Sequence, residues 1–479
     1  MKKAVISSIL LLSFSLLSAK QVNIMDYSVD NKGKSVCTEK IQQAIDELSQ
    51  DGGGVLYFPQ GIYLTGTIIM KSNVHLYIDV GATLLGSKNI KDYKPIKPDY
   101  EALRTQVNTH QLLFAENQKN IGIMGKGTID GQGGSFIPEK STEREFIRPF
   151  IIMFINCDNI KMEDINLRSS AAWMQHYLAC NNMQIRGLNI YNHVNRNNDG
   201  MNIDGCHNVT ISDCIFDTDD DALVFKSTSP RTSENVTVTN CVISSHCNSI
   251  KMGTESTGGF KNIAISNCVV KPSIDTTAIS GVPVGHAAVA LEMVDGGILE
   301  KVTISNITVS NSQTPLFIRL GNRARKYKPD APEPGRGILR NVVISNMIVY
   351  SESLLANSIT GLPGNYAENI TLSNIQFVMN THGTKEMAGL KVPEAEAGYP
   401  RADMFGKELP ASCLYIRHVK NLITSNITMT FLGDDERPAI IADDVIDSEI
   451  EIKSISGFKE GIEFSKIINS KNTEIILND

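Results

Sequence analysis

Turn signals for β-hairpins are nearly absent from this 479-residue chain. A β-sandwich would need Asn-Gly or similar two-residue turns between antiparallel strands, so their scarcity argues against one. Excess charge of one sign is also missing: a formal net charge of −7 offers no basic surface for nucleic acid. An acidic substrate stays open, because a local Lys/Arg cluster binds carboxylates on a globally acidic protein. Long apolar runs are lacking beyond residues 4–17, which fall short of the roughly 20 residues that span a bilayer. That run follows Lys2 and Lys3 and ends at Ser18-Ala19, the layout of a secretory leader cleaved after Ala19. The expectation is a leader over 1–19, export to the periplasm or beyond, and no membrane insertion.

Disulfides are not expected, although an exported chain with nine cysteines would ordinarily suggest them. The number is odd, and Cys214, Cys241 and Cys268 recur every 27 residues (214 to 241, 241 to 268). Each is followed by apolar or β-branched residues, so they read as small apolar groups stacked in a core.

That recurrence belongs to a repeat. Segments 208–216 (NVTISDCIF), 235–243 (NVTVTNCVI), 262–270 (NIAISNCVV), 301–309 (KVTISNITV), 341–349 (NVVISNMIV), 369–377 (NITLSNIQF) and 421–429 (NLITSNITM) share one pattern. Weaker copies stand at 159–167 and 182–190. Each is a β-branched strand, a polar bend and a second short strand. Such a unit closes no core alone, but stacked copies complete one another's hydrogen bonds and bury a continuous aliphatic column. Asn at the bend tolerates left-handed backbone. The reading is an all-β, right-handed parallel β-helix forming one domain over 20–479. An amphipathic helix over 38–50 would cap it, burying Ile41, Ala44, Ile45 and Leu48 and ending at Gly52-Gly53-Gly54. Stretches 94–116, 325–337 and 382–410, rich in Pro, Gly and charge, read as loops.

Three triplets, Met201-Asn202-Ile203, Leu223-Val224-Phe225 and Ile250-Lys251-Met252, follow one another at one-coil intervals. Asp199 and Asp221 each stand two residues before a triplet and so share a register on neighbouring coils, about 4.8 Å apart. Asp220 adjoins Asp221, and His246 comes one coil later. Carboxylates so close repel, which raises at least one pKa and makes a proton donor available near neutral pH. Glycosidic hydrolysis needs one protonated and one ionised carboxyl. A single Asp at a β-helix bend is more often a turn residue, and the run Asp217-Thr218-Asp219-Asp220-Asp221 also suits calcium. The matched register favours catalysis.

Asn197-Asn198-Asp199-Gly200, Asp220-Asp221-Ala222 leading to Lys226-Ser227, and Ser245-His246-Cys247 resemble the successive motifs of glycoside hydrolase family 28, the polygalacturonases. Gly52-Gly53-Gly54-Val55, Gly61-Ile62-Tyr63 and Gly81-Ala82-Thr83-Leu84 extend the likeness over most of the chain. The resemblance implies inverting hydrolysis of α-galacturonosyl linkages in pectin without cofactor or metal. It makes Asp220 the general acid, Asp199 and Asp221 the holders of the water, and His246 a support. The sequence departs from the family pattern at Asn198, Ser245 and Cys247. At the place of the family's substrate-binding Arg-Ile-Lys it has Ala290-Leu291-Glu292, which lacks both charges. Asn197, Lys226, Lys251, Glu292, Arg319 and Arg323 are then the expected substrate-binding residues. The changed motif points to exo action or to branched, rhamnogalacturonan-type pectin. A pectic polysaccharide or oligosaccharide is the expected partner of a monomer. A polysaccharide lyase and a non-catalytic carbohydrate-binding β-helix are the alternatives.

Overall fold

A computed structural model describes residues 20–103, 105, 109–136 and 147–478; the expected leader lies outside them. Short strands wind into successive coils, and each strand pairs in parallel with its counterpart one coil away. The architecture is a parallel β-helix.

The repeated segments explain the coil. Apolar positions alternate inward, so Val209, Val236, Ile263 and Val302 lie in register and buried. Asn208, Asn235 and Asn262 precede them with positive φ, and each amide nitrogen donates to the Asn one coil earlier, at 3.2 and 3.1 Å for the last two. A backbone conformation that is costly for most residues is thereby held by a side-chain ladder. One hydrophobic column runs from Ile24 to Ile452.

The helix α1 (Thr38–Gln50) buries Ile41, Ala44, Ile45 and Leu48 on the first coils, as its periodicity predicts. Gly52 and Gly53 end it with positive φ. The repeat begins earlier than the sequence pattern indicates: strands Gly54–Phe58, Val74–Ile78 and Lys119–Gly125 occupy the same column as the later copies. Part of the stretch read as a loop over 94–116 is also corrected. Residues Gln111–Glu116 form a buried strand pairing with Phe150–Ile155. Stretches 325–337 and 382–410 carry no β-strand.

All nine cysteines are buried and free. Cys214, Cys241 and Cys268 point into the column, each thiol donating to the carbonyl two residues earlier. The melting temperature is therefore expected to be the same with and without reductant. A drop of several degrees, the signature of losing a disulfide worth about 2–5 kcal/mol, would contradict this.

Candidate active site

One sheet of the coil carries the site. Its strands β1 (Gln175–Leu178), β2 (Met201–Asp204), β3 (Leu223–Ser227), β4 (Asn248–Ser256), β5 (Ala287–Met293) and β6 (Thr314–Leu320) pair in parallel in that order. Met201, Leu223 and Ile250 are in register and turned into the core. The alternate residues face outward, including Lys226 on β3 and Lys251 on β4.

Asp199 and Asp221 precede β2 and β3 by two residues each, and the Gly200 N–H donates to the Asp221 carbonyl at 2.9 Å. Their shared register is therefore realised. Asp199 and Asp221 are buried, at 2% and 4% exposure, whereas Asp220 between them keeps some solvent contact. Asp221 is held as a carboxylate from two sides. Lys251 Nζ is 3.0 Å from its Oδ2 and Asn248 Nδ2 donates to its Oδ1 at 2.7 Å.

The three carboxyls divide their protons accordingly. Burial works to raise Asp221, but Lys251, Lys226 and the Asn248 bond outweigh it and hold the group below the usual range. Burial, then the neighbouring Asp221 charge, pushes Asp220 up to about 6. Burial, then the charge of Asp220, also raises Asp199, against the pull of Lys226. The trio titrates as a unit: Asp221 is the carboxyl held ionised, Asp199 and Asp220 are the two raised, and of those two Asp220 is the one that solvent reaches.

Lys226 lies between Glu255 at 3.2 Å and Asp199 at 3.8 Å, with the Trp173 ring centroid 4.7 Å away. Lys251 sits between Asp221 and Glu292, the latter at 3.6 Å. Glu292 is fully buried, and burial lifts it to about 7 against the pull of Lys251. Asn197 stands in the exposed turn before Asp199, its Oδ1 accepting from Arg148 Nη2 at 2.9 Å. Asn198 braces the same turn through the Ser170 and Ala172 carbonyls and the Val194 and Asn195 N–H groups.

Three expected residues are placed differently. His246 hydrogen-bonds none of the carboxyls 199, 220 or 221. Its Nδ1 meets Asp219 at 3.0 Å and its Nε2 meets the Asp275 carbonyl at 2.8 Å. Two acceptors on one ring favour the imidazolium, and although burial opposes it, these bonds raise His246 above its ordinary value. Arg319 is not free for a uronate. It donates to the carbonyls of Gly361, Glu394 and Ala395, bracing loop 392–411. Arg323 forms a two-point pair with buried Asp295.

The acidic run over 217–221 splits in the same way. Asp217 accepts from His193 and the Ile274 N–H, and Asp219 accepts from His246 and the N–H groups of Ile279 and Ser280. Burial would raise both, but these hydrogen bonds hold both low. Asp217 and Asp219 thus fasten loop 272–286, while Asp220 and Asp221 belong to the site. Among the described residues, His193, Asp219 and His246 bring possible metal-ligand atoms within 4.8 Å of one another. His246 and Asp219 have already committed those atoms to hydrogen bonds.

A family model of glycosyl hydrolases family 28 matches residues 56–397. The chain belongs to that family. A probable polygalacturonase of Vitis vinifera is 32% identical over 228 residues, covering 45% of this chain and 46% of its own length. An exo-poly-alpha-D-galacturonosidase of Dickeya chrysanthemi is 27% identical over 255 residues, covering 43% and 42%. The chain thus spans less than half the length of these curated relatives. Among solved structures, an exopolygalacturonase from Thermotoga maritima aligns with a TM-score of 0.63 at 23% identity, covering 76% of this chain and 91% of that one. A family 28 exopolygalacturonase of Yersinia enterocolitica gives 0.64 at 17% identity, covering 96% and 79%. The fold is the right-handed parallel β-helix of these neighbours.

Within this family 28 site, sequence reasoning missed Trp173, Glu255 and Asn248. Trp173 is the only tryptophan of the chain, which was a usable signal. Glu255 lies four residues beyond Lys251 but pairs with Lys226 across coils, a contact that no local pattern shows.

Asp220 generates a stability prediction. Its folded-state pKa is raised, so the folded chain holds a proton that the unfolded chain releases. Stability therefore falls as pH rises from about 4 through about 6. Asp220→Asn removes that penalty. Denaturant unfolding should find the variant about 2 kcal/mol more stable than the parent at pH 7 and no more stable near pH 3.5. Equal stability at pH 7 would mean that Asp220 is not strained in the fold.

Proposed function

We propose that this protein is an exported, exo-acting hydrolase of pectic chains that cleaves the α-galacturonosyl linkage with inversion. One observation carries the exo reading: the outward face of the catalytic sheet is covered on both sides of the site. On the N-terminal side Ile96, Tyr100 and Ala102 pack on Phe114, Met153 and Leu178, and the Leu103 N–H donates to the Thr228 carbonyl at 3.0 Å. On the C-terminal side Met404 packs on Ala287, Ala290 and Phe317, and Phe405 and Leu409 cluster with Tyr415 and Ile441. Lys328 bridges to Glu101 at 2.6 Å along the edge. A polymer threaded along the helix axis meets a wall at either end, whereas a chain end fits between.

The chemistry follows from the proton distribution. Asp220 gives its proton to the leaving glycosidic oxygen. Asp221, ionised and fixed by Lys251 and Asn248, takes the proton of the attacking water, and Asp199 one coil away orients that water. The described residues include no helix long and apolar enough to cross a membrane. The leader-like residues 1–19 support export to where pectin is found.

The test is product analysis on homogalacturonan, rhamnogalacturonan and their oligosaccharides, with and without chelator. Short units released from chain ends, with no early fall in viscosity and no effect of chelator, are expected. Asp220→Asn should cut kcat by ~10²–10⁴. Ultraviolet-absorbing unsaturated products would make the protein a lyase, and random mid-length fragments would make it endo-acting.

A further inference from the structure

Arg319, expected from the sequence to bind substrate, donates to backbone carbonyls, two of them in loop 392–411. Loop 392–411 is fixed at several points. Arg319 donates to the Glu394 and Ala395 carbonyls at 2.9 and 3.2 Å and lies 5.3 Å from the Phe405 ring centroid. The Asn322 N–H donates to the Glu396 carbonyl at 2.8 Å, and the Glu394 carboxylate meets His418 Nε2 at 3.0 Å. Phe405 and Leu409 of the loop are buried against Leu355, Tyr415 and Ile441.

On this anchored segment Tyr399 is left 57% exposed. Its ring centroid lies 5.8 Å from Lys251 Nζ, the cation set between Asp221 and Glu292. An exposed aromatic side chain held by a fixed backbone beside Lys251 has only two side-chain torsions to order. It loses little entropy when a ligand covers it. Leaving so much apolar ring in water also forgoes burial worth roughly 25 cal/mol per Å².

We propose that Tyr399 is a substrate-contacting platform on which a sugar ring stacks one place beyond the bond over Asp220. Arg319 holds the loop that carries Tyr399, through the Glu394 and Ala395 carbonyls. The ligand class is a pyranose with an apolar C–H face, and the contact is ring against ring face, so the phenol hydroxyl is dispensable. Since the ring touches the sugar before and during the reaction alike, it contributes uniform binding: removing it raises KM and leaves kcat in place.

This inference rests on the pectic reading of the site, and the experiment separates the two. Calorimetric binding of trigalacturonic acid and of a rhamnogalacturonan tetrasaccharide is measured on full-length Asp220→Asn, which holds substrate without turnover. The same titration follows with Tyr399→Ala or Tyr399→Phe added. The alanine variant should bind about tenfold more weakly and the phenylalanine variant within about twofold of the parent. In the active enzyme Tyr399→Ala should raise KM about tenfold, with kcat changed less than about twofold. An alanine variant that binds as tightly as the parent overturns the platform, and so does a phenylalanine variant as weak as the alanine one. If the Asp220→Asn parent binds neither oligosaccharide, the pectic reading fails first and the platform falls with it.

Discussion

Parallel backbone pairing between neighbouring coils is the constraint on which the rest depends. Met201 opposite Leu223 and Leu223 opposite Ile250 fix where every flanking side chain points. A slip of one residue would exchange the core and solvent faces. It would turn Ile203 and Phe225 outward and drive Asn202 and Val224 into the aliphatic column. The ladder therefore does two things at once: it keeps the hydrophobic column continuous, and it holds Asp199 and Asp221 one coil apart. Mutually repelling carboxyls stay together because separating them would mean breaking the register of two buried strands.

Charge pairing then assigns work to groups of the same type. Four aspartates crowd into the five residues from 217 to 221, yet their partners send them to opposite duties. Asp217 and Asp219 accept N–H groups from loop 272–286 and stay low in pKa, so they act as fasteners. Asp221 has Lys251 and Asn248, whereas among the described residues no cation is in hydrogen-bond contact with Asp220. The two lysines are shared outward as well, Lys226 with Glu255 and Lys251 with Glu292. A buried cation between two carboxylates leaves each less than fully compensated, which keeps a proton on the trio at a pH where an isolated aspartic acid would have lost it.

Much of this was legible in the residues, and the boundary of legibility is physical. Period, bend chemistry and cap helix all arise within one coil, so the β-helix and α1 follow from local pattern. The register of Asp199 with Asp221 follows too, because it is only a count between like strands. The first coils escaped because Gly54–Phe58 and Val74–Ile78 lack the Ser-Asn bend that marks the later copies. Residues 111–116 were hidden by the polar stretch before them. The cations were the harder case: sequence names Arg319 and Arg323 as charges but cannot show that Asp295 and three backbone carbonyls have already taken them. The placement of His246 depends likewise on loop 272–286, whose carbonyl at Asp275 is invisible to any spacing argument.

The long repeat intervals have a consequence of their own. Steps of 39, 40 and 52 residues separate the copies starting at 262, 301, 341, 369 and 421, the shorter step of 28 lying between 341 and 369. The surplus residues are loops 272–286, 321–337 and 380–413, which emerge at the two edges of the sheet that bears the carboxyls. Because a coil is complete without them, their length and sequence can differ without disturbing the register beneath. The open face of a solenoid is a groove by default, and residues 392–411 close one end of it through contacts with Ala290, Phe317 and Tyr415. Those outward positions are small or aromatic rather than charged, as a covered surface requires. The small residue at position 290 fits what lies on top of it: Ala290 is fully buried with Met404 packed against it, and a longer charged side chain there would have to displace that contact or be desolvated beneath it.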